Sequence, residues 1–279
     1  MRVCLVTPFA WSQPHDVNDH VGGVAAALRE RGHDVTVLAP STRAADLLAG
    51  RRALQSRSRP DVIAVGPAVP ISPRSQLGVP VGVQASLKLA LAQGDYDLVH
   101  GFEPGLPSLS YLALRDTDAL AVATFVSPDR LGYPPARSQR EKLLGRLDAL
   151  VALSEQVREA AEERFPGDYR VLSPGVDTAL FAPAQAKQKT IVVELRPNER
   201  EVARGILHAV RELPGWEVVL LRTRPLIGRP AIPRALASRV HLRTARDAPS
   251  RAAILNAAAI FVPGVEGLRR VTLEAAASG

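Results

Sequence analysis

The chain has 279 residues, 46 % hydrophobic and 23 % charged, the balance of a soluble globular protein with room for one large or two ordinary domains. Its net charge of +7 is carried almost wholly by arginine, since the lysines are Lys88, Lys142, Lys187 and Lys189; it reads either as arginine spread over solvated faces or as preference for an anionic partner, a nucleotide diphosphate or an acidic membrane surface. One cysteine, Cys4, excludes an internal disulfide; the absence of a dense basic run with interleaved aromatics argues against nucleic acid; and with no leader or long apolar run a cytoplasmic protein is expected, with peripheral contact to the inner face of a membrane left open.

Val3, Leu5 and Val6 make a short apolar run, and a Pro-containing loop from Pro8 to about Asn18 follows. Val21, Val24, Ala25 and Leu28 recur at helical spacing, Gly32 ends that helix, and Val35, Val37 and Leu38 form a second apolar run. This is one βαβ unit. Ligands of open α/β sheets bind where loops leave the carboxyl ends of strands, so the stretch from Thr7 to Asn18 is the first place to look for function. Ser41 and Thr42 are placed to cap a short helix through Leu48, Arg51 to Pro60 reads as an exposed basic loop, Asp61 to Val65 as a strand, and Gly66 to Gly82 as irregular. A helix over Gln84 to Ala92 leads to a strand over Tyr96 to His100, a loop from Gly101 to Pro107, a helix over Ser108 to Leu114 and a strand over Leu120 to Phe125. Helices over Arg137 to Leu147 and Glu155 to Arg164 flank a strand at Ala149 to Leu153, and Arg170 to Leu172 is a last short strand.

Phe181 to Lys189 reads as a linker, after which the alternation restarts. Strands are predicted over Ile191 to Leu195, Trp216 to Leu221, Arg239 to Leu242 and Ala259 to Val262. The helices run over Glu199 to Leu213, Ser250 to Ala257 and Gly267 to Ser278. The whole predicts an α/β protein of two doubly wound parallel-sheet domains, residues 1–182 and 183–279, with a cleft between them as the ligand site.

Near the end, Glu266 and Glu274 stand with seven residues between them in EGLRRVTLEAAASG. The run AIFVPG before them is a strand and turn, so Glu266 lies just before a helix and Glu274 about two turns in. A helix N-terminus receives anions, and a carboxylate beside it accepts hydroxyl hydrogen bonds from a sugar or ribose; acids are also favoured there for ordinary electrostatic reasons. This strand, turn, Glu, seven residues, Glu-Ala-x-Ala-x-Gly pattern resembles that of family 4 retaining glycosyltransferases, whose GT-B fold has two Rossmann-like domains. Pro8, Pro14, Val17, His20-Val21, Arg31-Gly32-His33 and Val37 to Pro40 are similar to the bacterial phosphatidylinositol mannosyltransferases. So are GPAVPIS from Gly66, GDYDLVHGFEP from Gly94, PSLSYLAL from Pro107, VALSEQVRE from Val151 and SPGVDTALF from Ser173.

The resemblance implies transfer of a mannose-like hexose from a nucleotide diphosphate sugar, such as GDP-mannose or a UDP-sugar, to an acceptor with retention of configuration. The acceptor is a lipid, a glycan or a small molecule, and no metal or other cofactor is required. It gives the nucleotide sugar to the C-terminal domain and the acceptor to the N-terminal one. Glu274 would hold the ribose hydroxyls, Glu266 with Gly267, Leu268 and Arg269 the donor sugar, and Arg196 and Arg204 the diphosphate, a task that suits the planar guanidinium. His20, His100, Glu103 and Arg130 fall on the acceptor side.

Departures from the family pattern gather at the chemistry. His15 and Asp16 stand where two glycines are usual and close backbone approach is needed. Val126 replaces a histidine, Phe102 a second one, Leu195 the glycine before Arg196, Arg204 a lysine, and Leu268-Arg269 a Phe-Gly. The segment corresponding to a lipid-meeting basic helix, ASLKLALA from Ala85, carries only Lys88. The strands and closing helix expected beyond Ala275 to Gly279 are missing, which predicts an incomplete second domain, weaker in stability or completed by another chain. Two readings follow: an active transferase in which His15, Asp16 and Glu266 are catalytic, or a degenerate homologue that keeps the scaffold for binding or partnering. Residue by residue, His15 and Asp16 are an acid/base pair or plain residues of an exposed loop. His20 opens the first helix, Trp11 stacks on a sugar or covers the core, and Asp129-Arg130 is a surface ion pair or an anion contact.

Overall fold

The computed structural model describes residues 1–13, 15–70, 78–80, 82–184, 186–195, 200–223, 231–245, 247–263 and 270–279. The chain divides into two compact units, Met1–Gln13 with Val17–Ser173, and Pro14–Asp16 with Pro174–Gly279.

The first unit runs β1 (Arg2–Val6), α1 (Asp16–Glu30), β2 (Asp34–Ser41), α2 (Ala44–Ser56), β3 (Val62–Pro70), β4 (Gly78–Pro80), α3 (Gln84–Gly94) and β5 (Leu98–Phe102). It continues through α4 (Leu109–Asp116), β6 (Leu120–Phe125), α5 (Arg137–Leu144), β7 (Ala149–Ala152), α6 (Glu155–Glu162) and β8 (Tyr169–Val171). The sheet order is β4-β3-β2-β1-β5-β6-β7-β8, parallel except for the β3–β4 pair. Alternate residues of β1 pack on opposite faces, as the pleat requires. Cys4 and Val6 join Leu38, Leu87, Val99 and Leu109, whereas Val3 and Leu5 join Val17, Val21, Val37 and Phe102. The order reverses between β1 and β5, which makes the carboxyl ends of these strands the switch point where such sheets bind ligands.

The second unit holds β9 (Gln188–Glu194), α7 (Arg200–Ala209), β10 (Glu217–Arg222), β11 (Val240–Thr244), α8 (Ala248–Leu255), β12 (Ala258–Val262) and α9 (Arg270–Ala277). Its parallel sheet has the order β11-β10-β9-β12, so its reversal lies between β9 and β12.

Several expected boundaries shift for identifiable reasons. α1 begins at Asp16 rather than after Asn18, so the loop before it is shorter than expected and His20 lies inside the helix instead of opening it. The buried Asn18 is the cause: its Oδ1 accepts from Thr7 Oγ1 at 2.7 Å and its Nδ2 donates to Ala10 O at 3.0 Å, folding the loop onto the first helical turn. α2 does not stop at Leu48 but takes in Arg51 to Ser56, because Gly50, Ala53 and Leu54 are buried while Arg51 and Arg52 point outward. A Cβ at Gly50 would strike the Ala64 carbonyl, so this glycine lets the helix lie directly on β3. Neither Ser41 nor Thr42 caps it; Arg43 is the N-cap residue, and Ser41 instead donates to Asp46 Oδ2 at 2.7 Å. β3 extends to Pro70, and β4 forms inside the stretch read as irregular. Phe181 is not part of a linker: it is 1 % exposed and packs with Val192, Leu221 and Leu255 in the second unit's core.

Candidate functional site

At the switch point of the first unit, β5 ends in His100, Gly101 and Phe102. The His100 and Phe102 rings stack at 4.3 Å, and His20 of α1 meets the edge of Phe102 at 5.8 Å. His100 Nε2 lies 2.6 Å from Thr124 Oγ1 on β6. Burial first, and the neighbouring His20 second, push the His100 pKa down to about 3, so this imidazole is neutral at physiological pH. Its hydrogen bond is therefore made by one neutral tautomer.

Glu103 follows directly, fully buried and in the left-handed region at φ 52°. Its Oε1 accepts from Arg130 Nη1 at 3.3 Å, and Arg130 Cζ lies 4.9 Å over the Phe9 ring. The loops after β1, β5 and β6 are tied together by these side chains. A Cβ on Gly105 would collide with the Arg130 carbonyl oxygen and come 2.9 Å from Leu131 Cα, so only glycine lets the Arg130 segment pass this closely. The pairing of Glu103 with Arg130 corrects the reading of Asp129-Arg130 as a surface ion pair. Trp11 is half-buried against the apolar cluster of Phe9, Val17 and Val21, which is the core-covering alternative.

His15 and Asp16 come together: His15 Nδ1 is 2.9 Å from Asp16 Oδ1. They are not in an exposed loop. His15 is 3 % exposed and Asp16 is the first residue of α1. A carboxylate on Nδ1 orients an imidazole, the arrangement used in general acid–base work.

In the second unit, Glu274 of α9 is fully buried and gripped by two arginines. Arg251 of α8 donates from Nε to Oε2 at 2.7 Å and from Nη2 to Oε1 at 2.8 Å. Arg270 Nε donates to Oε1 at 3.0 Å. Arg251 is itself only 2 % exposed, and such two-pronged charged bonds are the strong class of hydrogen bond. Glu194, at the end of β9, is also buried and accepts from Thr223 Oγ1 at 2.9 Å. Arg204 is exposed on α7, beside the buried Ala203 and Leu207. Arg196, Glu266, Gly267, Leu268 and Arg269 lie outside the described residues.

The structure thus joins His20 with His100 through Phe102, Glu103 with Arg130, and His15 with Asp16. Sequence reasoning missed Arg251, Glu194 and Thr124. A signal for Arg251 existed: it sits on the same helical face as Ala252 and Leu255, where an arginine needs a buried partner. Among the described residues no helix is long and apolar enough to cross a membrane.

Comparison with known proteins agrees with this architecture. A phosphatidyl-myo-inositol mannosyltransferase of Propionibacterium freudenreichii is 30 % identical over 194 residues, covering 68 % of this chain and 50 % of the relative. The enzyme of the same name from Mycolicibacterium smegmatis is 33 % identical over 194 residues, covering 66 % and 46 %. The chain therefore spans about half the length of the curated relatives it matches. Among solved structures, an alpha-glucosyltransferase in complex with UDP-glucose and abasic DNA superposes with a TM-score of 0.65 at 13 % identity, over 100 % of this chain and 78 % of that one. The catalytic domain of starch synthase IV from Arabidopsis thaliana, bound to ADP and acarbose, gives 0.58 at 12 % identity over 99 % and 80 %. At these identities the structural likeness establishes the GT-B fold alone. The model of Glycosyltransferase Family 4 matches residues 17–180, more than half of the sequence, and the chain belongs to that family.

Proposed function

We propose that the protein moves a mannose-like hexose from a nucleotide diphosphate sugar to an acceptor with retention of configuration. The observation that carries this reading is the family match over residues 17–180, which takes in β5 and the loops after β5 and β6 that hold His100, Glu103 and Arg130. The second unit, taken from about residue 183, binds the donor, with Arg196 and Arg204 on the diphosphate, Glu266 to Arg269 on the sugar, and Glu274 anchoring that side from within. The first unit receives the acceptor near His20, His100, Glu103 and Arg130. His15, oriented by Asp16, is the group suited to manage the acceptor proton. No metal is needed, because arginines neutralise the diphosphate. The names of the relatives favour a phosphatidyl-inositol type of acceptor, whose hydroxyls a glycan or small molecule would replace with the same chemistry; peripheral contact with the inner face of a membrane is part of this proposal.

A second reading, a family member that binds without turnover, is favoured by one observation: both oxygens of Glu274 are already engaged by arginines. A titration with GDP-mannose and UDP-glucose, followed by a donor-hydrolysis assay, separates the two. Binding that weakens in Arg196→Ala and Arg204→Ala, with release of an α-configured sugar, supports the transferase. Binding without turnover on any acceptor supports the second reading, and binding of neither nucleotide removes both.

A further inference from the structure

We propose that the outward faces of α2 and α3 dock the protein on an acidic lipid bilayer, with Leu48, Arg51 and Arg52 as the principal contacts. The inference rests on the membrane contact included in the reading above and names the surface that makes it.

Leu48, Arg51, Arg52 and Gln55 follow at i, i+3, i+4 and i+7 along α2, so they share one side of the helix, turned away from the buried Gly50, Ala53 and Leu54. All four are exposed. Ala85, Lys88, Leu89 and Ala92 repeat this spacing on α3 and are exposed too, while Leu87 and Ala90 turn inward. The inward Leu54, Leu87 and Ala90 join one core cluster, which sets the two helices side by side on the same face of the sheet. Their outward stripes therefore make one surface with three cations, no acid, and two leucines that are 52 % and 44 % exposed.

Charge balance singles this surface out. On α6 the arginine Arg158 is shared by Glu155 and Glu162, each at 2.6 Å, as on an ordinary solvated helix. On α2 the only acid is Asp46, half-buried and bonded to Ser41. Arg51 and Arg52 have no acid three or four places away, and among the described residues they make no ion pair. Arg43 and Arg57, at the two ends of α2, are likewise exposed and unpaired among the described residues. Lys88 also lies in the field of Asp116, so the α2 arginines carry most of the attraction. Positive charge without counter-charge favours an anionic partner. The exposed leucines beside it favour a bilayer: interfacial helices bury such side chains at the headgroup boundary while flexible cations reach the phosphates. Neither stripe carries an aromatic residue to stack a base, which argues against nucleic acid.

The test is co-sedimentation of the full chain with vesicles of phosphatidylcholine alone and of phosphatidylcholine mixed with phosphatidylglycerol. Binding is expected on the acidic vesicles only and should weaken as salt is raised. Arg51→Gln combined with Arg52→Gln should weaken it about thirtyfold, the worth of two basic residues near an anionic surface. Leu48→Ser should weaken it about fivefold. These side chains are exposed, so the variants should unfold at the wild-type urea midpoint. Arg211→Gln combined with Arg243→Gln removes the same charge from exposed positions of the second unit and should leave vesicle binding within about twofold of the wild type. A wild type that ignores acidic vesicles, or an equal loss in the two double variants, overturns the proposal. So does vesicle binding indifferent to Leu48→Ser, which would make the face a general polyanion surface. Titration of the same variants with GDP-mannose and UDP-glucose should match the wild type, so the donor reading stands or falls on that measurement separately.

Discussion

Each unit holds a buried acid against arginine, and the two treat it differently. In the first, Glu103 accepts from Arg130 at 3.3 Å, Arg130 lies over the Phe9 ring, and the end of β5 carries the stacked rings of Phe102 and a neutral His100 with His20 at their edge. In the second, Glu274 is held by three charged bonds of 2.7 to 3.0 Å from two arginines, one of them inaccessible to water. Apolar stacking of the first kind adds stability through burial and is forgiving of small shifts. A buried ion cluster adds little over apolar residues of equal volume, yet is costly to break on one side. The first unit's acid thus lies beside strand ends that carry stacked rings, and the second unit's within a fixed arrangement of charge.

Removing the negative charge from each acid in turn probes this contrast. Glu274→Gln removes the carboxylate charge that two guanidiniums share, one of them wholly buried, and should cost the second unit about 3–5 kcal/mol. Denaturant unfolding followed through Trp216, in a Trp11→Phe background, reads that unit alone; a loss below about 1 kcal/mol would erase the distinction. Glu103→Gln should cost about 1–2 kcal/mol, because the bond from Arg130 is long at 3.3 Å, Gln keeps an acceptor oxygen, and the guanidinium keeps the Phe9 ring. The matching experiment follows Trp11 in a Trp216→Phe background, and a cost equal to that at Glu274 would contradict the account. The smallest effect at neutral pH belongs to His100. Its pKa falls from an ordinary 6.5 to about 3 in the folded protein, so the neutral form is the one the fold favours. Its contribution to stability is complete above pH 6.5 and is lost as pH falls toward 3. Urea midpoints of His100→Asn should decline less than those of the wild type over that window and run parallel to them above it; equal declines would show that His100 is not held neutral.

Much of the fold was legible because the apolar runs of β1, β2, β5 and β9 and the helical spacing of Val21, Val24, Ala25 and Leu28 report burial directly. Errors came where a polar residue serves the interior. Asn18 looked like loop and is the buried bracket that starts α1 early. Arg51 and Arg52 looked like loop and are the outer face of a helix whose inner face is Gly50, Ala53 and Leu54. Phe181 sat in a polar stretch, where its one apolar side chain was outweighed by its neighbours. The family resemblance picked out Glu274, His15, Asp16, His100 and Glu103, but residue types alone do not say who their partners are. Arg251 lies 23 positions from Glu274, and Arg130 lies 27 from Glu103; only the tertiary fold brings them together.

The central claim is that Glu274 is an internal counter-ion, coupled to Arg251 rather than held open for a ligand. A double-mutant cycle of Arg251→Met and Glu274→Gln, read by unfolding of the second unit without nucleotide, tests it most directly. The account predicts a coupling energy of about 2–3 kcal/mol, with the double variant more stable than Glu274→Gln alone because it no longer buries the Arg251 charge against a neutralised Glu274 position. Additive losses, with coupling below about 0.5 kcal/mol, would contradict it.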